Sequence, residues 1–197
     1  PDVDLAVNPK NPVIVRNERS FGANPDLVVK HALACIRAHH QQGVKTIIKH
    51  FPGHGSSSSD THLGIADVTK TWDKKELIPF RDIIKTGDAD AVMSAHIVNC
   101  NLDSSCVPGT LSSKIVNELL RKELKYEGVV FSDDMQMHAI SKYYGFKTAI
   151  KMAILAGVDV VMFSNHVGKN EKQYSPAEIH NIIKSMVISG EIPEARI

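Results

Sequence analysis

Short apolar runs alternate along this chain with longer stretches in which apolar residues recur at helical spacing. The runs fall at residues 3–7, 44–50, 89–94, 128–132 and 158–163, and each has strand length. Between the first two, the Asn/Pro-rich segment 8–22 reads as loop, and Asn24-Pro25-Asp26 then starts a helix. Leu27, Val28, His31, Ala32, Cys35 and Ile36 form its apolar face, and Gly43 stops it. Trp72, Leu77, Ile78, Phe80, Ile83 and Ile84 mark a second helix closed by Gly87. A third spans 111–124, capped by Thr110 or Ser112. A fourth spans 148–156 and ends at Gly157. The fifth has Ser175 at its N-cap and Pro176 at N1, and runs to about residue 189.

Strict alternation of apolar strands and helices predicts a parallel sheet covered by helices. Every strand then ends in polar residues: Lys49 and His50; Ser94 and His96; Ser132, Asp133 and Asp134; Ser164, Asn165 and His166. In a parallel sheet these ends share one edge, the edge where open sheets and barrels bind ligands. Five βα units are too few for an eight-fold barrel. They suit an open five-stranded sheet or most of a truncated barrel.

Composition narrows the picture mainly by exclusion. The 197 residues suffice for one domain with a real core. A formal net charge of +1 gives no electrostatic case for nucleic acid or an anionic membrane. No apolar run reaches the roughly 18 residues a membrane span needs, and no signal peptide opens the chain. Cys35, Cys100 and Cys106 have no CxxC spacing. A bridge across the short loop between the last two is possible, but reduced thiols are the expectation. The chain starts at Pro1 on strand-like residues and stops just after a helix, so both ends read as cut.

The chemistry concentrates in Lys49-His50-Phe51-Pro52-Gly53-His54-Gly55 and Asp60-Thr61-His62. Lysine at the end of an apolar strand is costly unless it reaches a ligand or a carboxylate. Asp60 and His62 can form a dyad in which the carboxylate fixes the imidazole tautomer and raises its basicity; an Asx-turn beside an exposed histidine is the blander alternative. His50, His54, Asp60 and His62, with His96 and Asp133 near, could instead ligate a metal, although no HxH or HExxH pair fixes two ligands on one element. Asp133 and Asp134 project to opposite faces of their strand, so only one of them is a candidate nucleophile. Arg19 is ambiguous by itself. Trp72 reads as core. No GxSxG elbow surrounds a serine.

These motifs resemble bacterial β-N-acetylglucosaminidases of glycoside hydrolase family 3. The resemblance rests on 49–55 with 60–62, on Asn11-Pro12-Val13-Ile14 with Arg19-Ser20-Phe21-Gly22, on Val92-Met93-Ser94-Ala95-His96, and on 128–135. Ala156-Gly157-Val158-Asp159 adds to it. It implies a TIM-type (β/α)8 barrel, of which residues 1–197 supply strands 4–8 as a partial catalytic domain truncated at both ends. The first three βα units and a substrate-binding aspartate would lie outside it, so activity of the isolated segment is not expected as a matter of course. The resemblance further implies a retaining mechanism with Asp133 as nucleophile, His62 as acid/base and Asp60 as its partner. Arg19, Lys49 and His50 would hold sugar hydroxyls, and Gly53, Gly55 and the serines would let the loop swing His62 over the sugar.

Within the resembled family the Asp-x-His pair implies N-acetylglucosamine as the sugar, with peptidoglycan fragments as its source and water or phosphate as acceptor. No cofactor or metal is implied. The expected partners are a small glycan and the missing part of the barrel, with neither nucleic acid nor membrane. A cytoplasmic location is favoured, periplasmic or secreted ones staying open. Two rival readings stand beside this one: a metal-dependent barrel hydrolase using His50, His62 and Asp133, and a non-catalytic sugar-binding fragment.

Overall fold

The computed structural model describes residues 1–166 and 172–197. The chain runs α1 (Pro25–His40), β1 (Ile47–Phe51), β2 (Ala66–Asp67), α2 (Ile78–Thr86), β3 (Ala91–Ser94), β4 (Ile97–Val98), a π-type helix (Lys114–Glu123), β5 (Val129–Asp134), α3 (His138–Tyr144), α4 (Phe146–Ala156), β6 (Val160–Met162) and α5 (Pro176–Ile188). Strands β1, β3, β5 and β6 pair in parallel in that order. The backbone of the first apolar run joins them through a parallel bridge from Asp2 to Lys49 and a Val3 N–H to Lys49 O bond of 2.8 Å. Spatial order therefore repeats chain order, as in the wall of a (β/α)8 barrel. Among the described residues the sheet does not close on itself.

The core lies between the sheet and its helices. Val28, Ala32 and Ile36 of α1, Phe80 and Ile83 of α2, and Ile115, Val116, Leu119 and Leu120 of the π-type helix pack with Ile48, Phe51, Val92 and Val130 of the strands. Local signals set the ends of several elements. Asn24 Oδ1 accepts the N–H groups of Asp26 and Leu27 at the start of α1. Ser175 and Glu178 form a reciprocal capping box at the start of α5. Gly87, at φ +79°, ends α2.

Four expectations need correction. The helix expected at 111–124 is wound with π-type bonding over Lys114–Glu123, its end marked by a Leu124 N–H to Leu119 O bond. Of its two candidate caps, Ser112 takes the role, its Oγ accepting from Ile115 N–H at 3.1 Å. Trp72 lies outside α2, because Asp73 caps a 3-10 turn at Lys74–Leu77 that precedes that helix. Its ring packs beside Ala66, Val68, Ala95 and Ile97, and its Nε1–H donates to Pro52 O. The fourth helix is preceded by α3, and Gly145 forms the joint. Lastly, Cys100 and Cys106 form a disulfide with a Cα–Cα separation of 4.6 Å. Turn bonds from Leu102 and Asp103 to Asn99 O, and from Cys106 to Asp103 O, fold the short loop back on itself. Bridges of this kind persist in oxidising compartments.

Candidate active site

The carboxyl ends of the strands gather Arg19, Lys49, His50, His54, His62 and Asp133 around a cavity of about 160 Å³. A second cavity of about 400 Å³ opens beside it. His62 and Asp133 line both, so they sit where the two meet.

The site is built outward from the first apolar run. Side chains alternate along an extended strand, so Asp2 and Asp4 face one way while Val3 and Leu5 enter the core. Asp2 bridges two cations, accepting from Arg19 Nε at 2.7 Å and lying 3.3 Å from Lys49 Nζ. Asp4 has no exposed surface. Its Oδ2 accepts from His50 N–H (3.1 Å) and His50 Nδ1–H (2.8 Å), and its Oδ1 accepts from His54 N–H (2.7 Å). Burial pushes the Asp4 carboxyl up, but the facing His50 ring and the bonds from His50 and His54 win, leaving it below the ordinary carboxylate range. Arg19 Nη2, which can only donate, lies 3.2 Å from His50 Nε2. The His50 proton therefore sits on Nδ1, toward Asp4.

Asp133 lies half-buried one residue before the end of β5, with Oδ1 accepting the Asp134 N–H at 2.8 Å. Burial raises its carboxyl, and the nearby His96, His50 and His54 rings together with that bond lower it further than burial lifts it. The net direction is downward, toward an ionised carboxylate at neutral pH. His96 is fully buried. Its Nε2–H donates to Asp134 O at 2.9 Å and its Nδ1 accepts from Thr110 Oγ1 at 2.9 Å, which steadies the backbone carrying both aspartates. Burial holds His96 below the usual histidine value. Asp134 is committed elsewhere: it accepts from the Ser164 hydroxyl and from the Gln136 N–H.

Asp60 and His62 do form a pair. Asp60 Oδ1 accepts from His62 Nδ1–H at 2.6 Å and from His62 N–H at 2.8 Å. That leaves Nε2 for the cavity side of a ring whose side chain is 59% exposed. The expectation that Gly53 and Gly55 act as hinges changes. A Cβ on Gly55 would lie 1.8 Å from Leu5 O, and one on Gly53 would lie 2.7 Å from Glu76 Cβ, so both glycines serve close packing. The stretch is also pinned by Asn11 Nδ2, which donates to His54 O and Gly55 O, and by Asn8 Nδ2, which donates to Ser57 O. The exposed arm starts only at Ser58.

Glu76 backs this loop. It is fully buried, accepts the Ser56 N–H at 3.2 Å, and burial pushes its carboxyl up to about 7. A carboxyl raised from 4.5 to about 7 on folding contributes stability below the lower value and loses it as pH climbs through the upper one, on the order of 3 kcal/mol in all. His54 and His96, lowered by burial, act in the opposite sense as pH rises. Comparison with Glu76→Gln isolates the glutamate. The melting temperature of the variant relative to wild type should rise between pH 5 and pH 8; a flat difference would show that Glu76 keeps an ordinary pKa.

Arg19, Lys49, His50, Asp60, His62 and Asp133 thus meet at one edge. The sequence reading missed Asp2 and Asp4. Their signal was present in two acidic residues at i, i+2 on an apolar strand, which a core tolerates only with partners. Of the set His50, His62 and Asp133, His50 spends both ring nitrogens on Asp4 and Arg19, and His62 spends Nδ1 on Asp60. Among the described residues, no three His, Cys, Asp or Glu side chains converge as metal ligands.

Residues 1–197 match the family model described as the glycosyl hydrolase family 3 N terminal domain. A beta-hexosaminidase A of Pseudoalteromonas piscicida is 40% identical over 175 residues, which is 82% of this chain and 29% of that protein. A beta-hexosaminidase of Tolumonas auensis is 35% identical over 172 residues, 84% of this chain and 51% of that protein. A solved structure titled as a glycoside hydrolase family 3 beta-N-acetylglucosaminidase from Paenibacillus sp. str. FPU-7 superposes with a TM-score of 0.87 at 35% identity, covering 100% of this chain and 36% of that one. The chain therefore spans about half or less of the length of these relatives.

Proposed function

From the premise that this chain belongs to glycosyl hydrolase family 3, as its N-terminal domain, we propose that it supplies the catalytic groups of a retaining exo-β-N-acetylglucosaminidase. Arg19, Lys49 and His50 hold the hydroxyls of a terminal sugar. The Asp133 carboxylate attacks the anomeric carbon while His62 Nε2–H protonates the departing oxygen. Water then attacks the glycosyl-aspartate ester, and His62 takes its proton. Asp60 keeps the His62 proton on Nδ1 and stabilises the imidazolium needed in the first step.

One observation carries this reading: the Asp60–His62 pair turns Nε2 free at the rim of the cavity that holds Asp133. Retaining glycosidases usually employ two carboxyl groups roughly 5–5.5 Å apart, and the acid must then be kept protonated beside a like charge. An imidazole titrates near working pH and carries no negative charge to repel the nucleophile. The sugar is N-acetylglucosamine, and peptidoglycan fragments are the source that fits an exo-acting enzyme of this kind.

The test uses the full-length protein. It should cleave an aryl β-N-acetylglucosaminide, and a mechanism-based fluorinated N-acetylglucosaminide should leave its label on Asp133 in the peptide map. Label on Asp134 would move the nucleophile by one residue. Inactivity on the aryl substrate would favour a sugar-binding role.

A further inference from the structure

His54 helps hold the Asp133 carboxyl down but makes no bond and carries no proton in the chemistry above, yet it is nearly fully buried in the cavity between two glycines. Its Nδ1 is buried with no hydrogen-bond partner among the described residues. Leaving such a group unsatisfied costs about 1–3 kcal/mol, so stability alone does not account for histidine at this position. Its Nε2 lies 3.5 Å from Thr61 Oγ1, a long contact but the one hydrogen-bonding contact of either side chain among the described residues. Thr61 stands between the two members of the Asp60–His62 pair and is the one buried residue from Ser58 to Ile65. Its carbonyl accepts the Ala139 N–H at 3.2 Å at the start of α3. At the other end, the His54 N–H is held by Asp4, the carboxylate that also orients His50.

We propose that His54 is a positioning residue: with Thr61 it forms a peg that registers the acid/base loop against the sugar-holding end of β1, with buried Asp4 as the shared reference point. The inference rests on the assignment of His62 as acid/base. A peg in the middle of the Asp-Thr-His triplet moves Asp60 and His62 together, so it sets the approach of Nε2 to the glycosidic oxygen through the loop.

The experiment compares His54→Phe, Thr61→Val, Thr61→Ser and a reference His62→Ala in the full-length protein. Each is assayed on an activated aryl β-N-acetylglucosaminide and on an unactivated β-linked N-acetylglucosamine disaccharide. His54→Phe fills the space and removes the orphaned nitrogen; Thr61→Val keeps shape and removes the hydroxyl. Both should lower kcat/KM about 10- to 100-fold on the disaccharide and much less on the aryl substrate, with KM little changed. Thr61→Ser should restore most of the loss. The double variant His54→Phe/Thr61→Val should be no worse than the single ones, because both cut the same link. If Thr61→Val matches wild type on the disaccharide, or loses equally on both substrates while His62→Ala still discriminates, the peg is wrong and the acid/base assignment survives. Equal losses in His62→Ala overturn that assignment and the peg with it.

Discussion

Asp133→Ala in the full-length protein should abolish turnover, with kcat falling on the order of 10⁴-fold or more on every substrate, activated or not. The uniformity is the informative part. A nucleophile is needed however good the leaving group is, because the ester cannot form without it. The surroundings of Asp133 suit the task. His96, His50 and His54 lie close enough to draw its carboxyl down against the burial that would raise it, and the Asp134 N–H holds one oxygen in place. Truncation to alanine leaves room at the floor of the cavity. Azide should then attack the activated sugar from that side and give a glycosyl azide of inverted, α configuration, a product the wild type does not form. Asp134→Ala is the control. It loses the bond from Ser164, which ties β5 to the segment after β6, and the bond from Gln136 in the turn after β5, so its cost should fall on stability as well as rate. Residual turnover of Asp133→Ala within tenfold of wild type would remove Asp133 from the mechanism.

The features that place these groups were legible because they follow from local rules. Apolar strands alternating with helices forced a parallel sheet, and the sheet forced Lys49, His50 and Asp133 to one edge. Ser175 and Asn24 marked helix starts through side-chain oxygens that accept the first free N–H groups. What escaped the reading depends on partners distant in sequence. Asp2 and Asp4 sit on an apolar strand and so call for partners, but only the fold brings Arg19, Lys49, His50 and His54 to them. The two-residue strands β2 and β4 pair with each other and are too short for periodicity to register. The glycines of the His54 loop suggested motion, whereas their neighbours, the Leu5 carbonyl and Glu76, lie so far along the chain that only the folded structure shows the close approach. In the sequence His54 stood only among possible metal ligands. Its contact with Thr61 gives it a partner within the protein.

His62→Ala should separate substrates that Asp133→Ala treats alike. On a disaccharide, the departing oxygen belongs to a sugar alcohol and needs a proton as the bond breaks, so loss of the acid should cost on the order of 10²- to 10⁴-fold in kcat/KM. An activated phenolate leaves unaided, and kcat/KM for an aryl substrate, which reports ester formation, should change little. The second step still lacks its base. The ester should therefore accumulate, and kcat on the aryl substrate should drop after a burst of one equivalent of phenol. Azide, which needs no base, should restore that kcat and yield a glycosyl azide of retained, β configuration. The stereochemistry distinguishes the two aspects of the mechanism: rescue of Asp133→Ala inverts and rescue of His62→Ala retains, because only the second passes through the ester. Asp60→Ala should show the same leaving-group dependence at smaller size, since it frees the Nδ1 proton and removes the charge facing the imidazolium while leaving the ring in place. Equal losses on both substrates in His62→Ala, with no burst and no azide rescue, would show that the proton comes from another group.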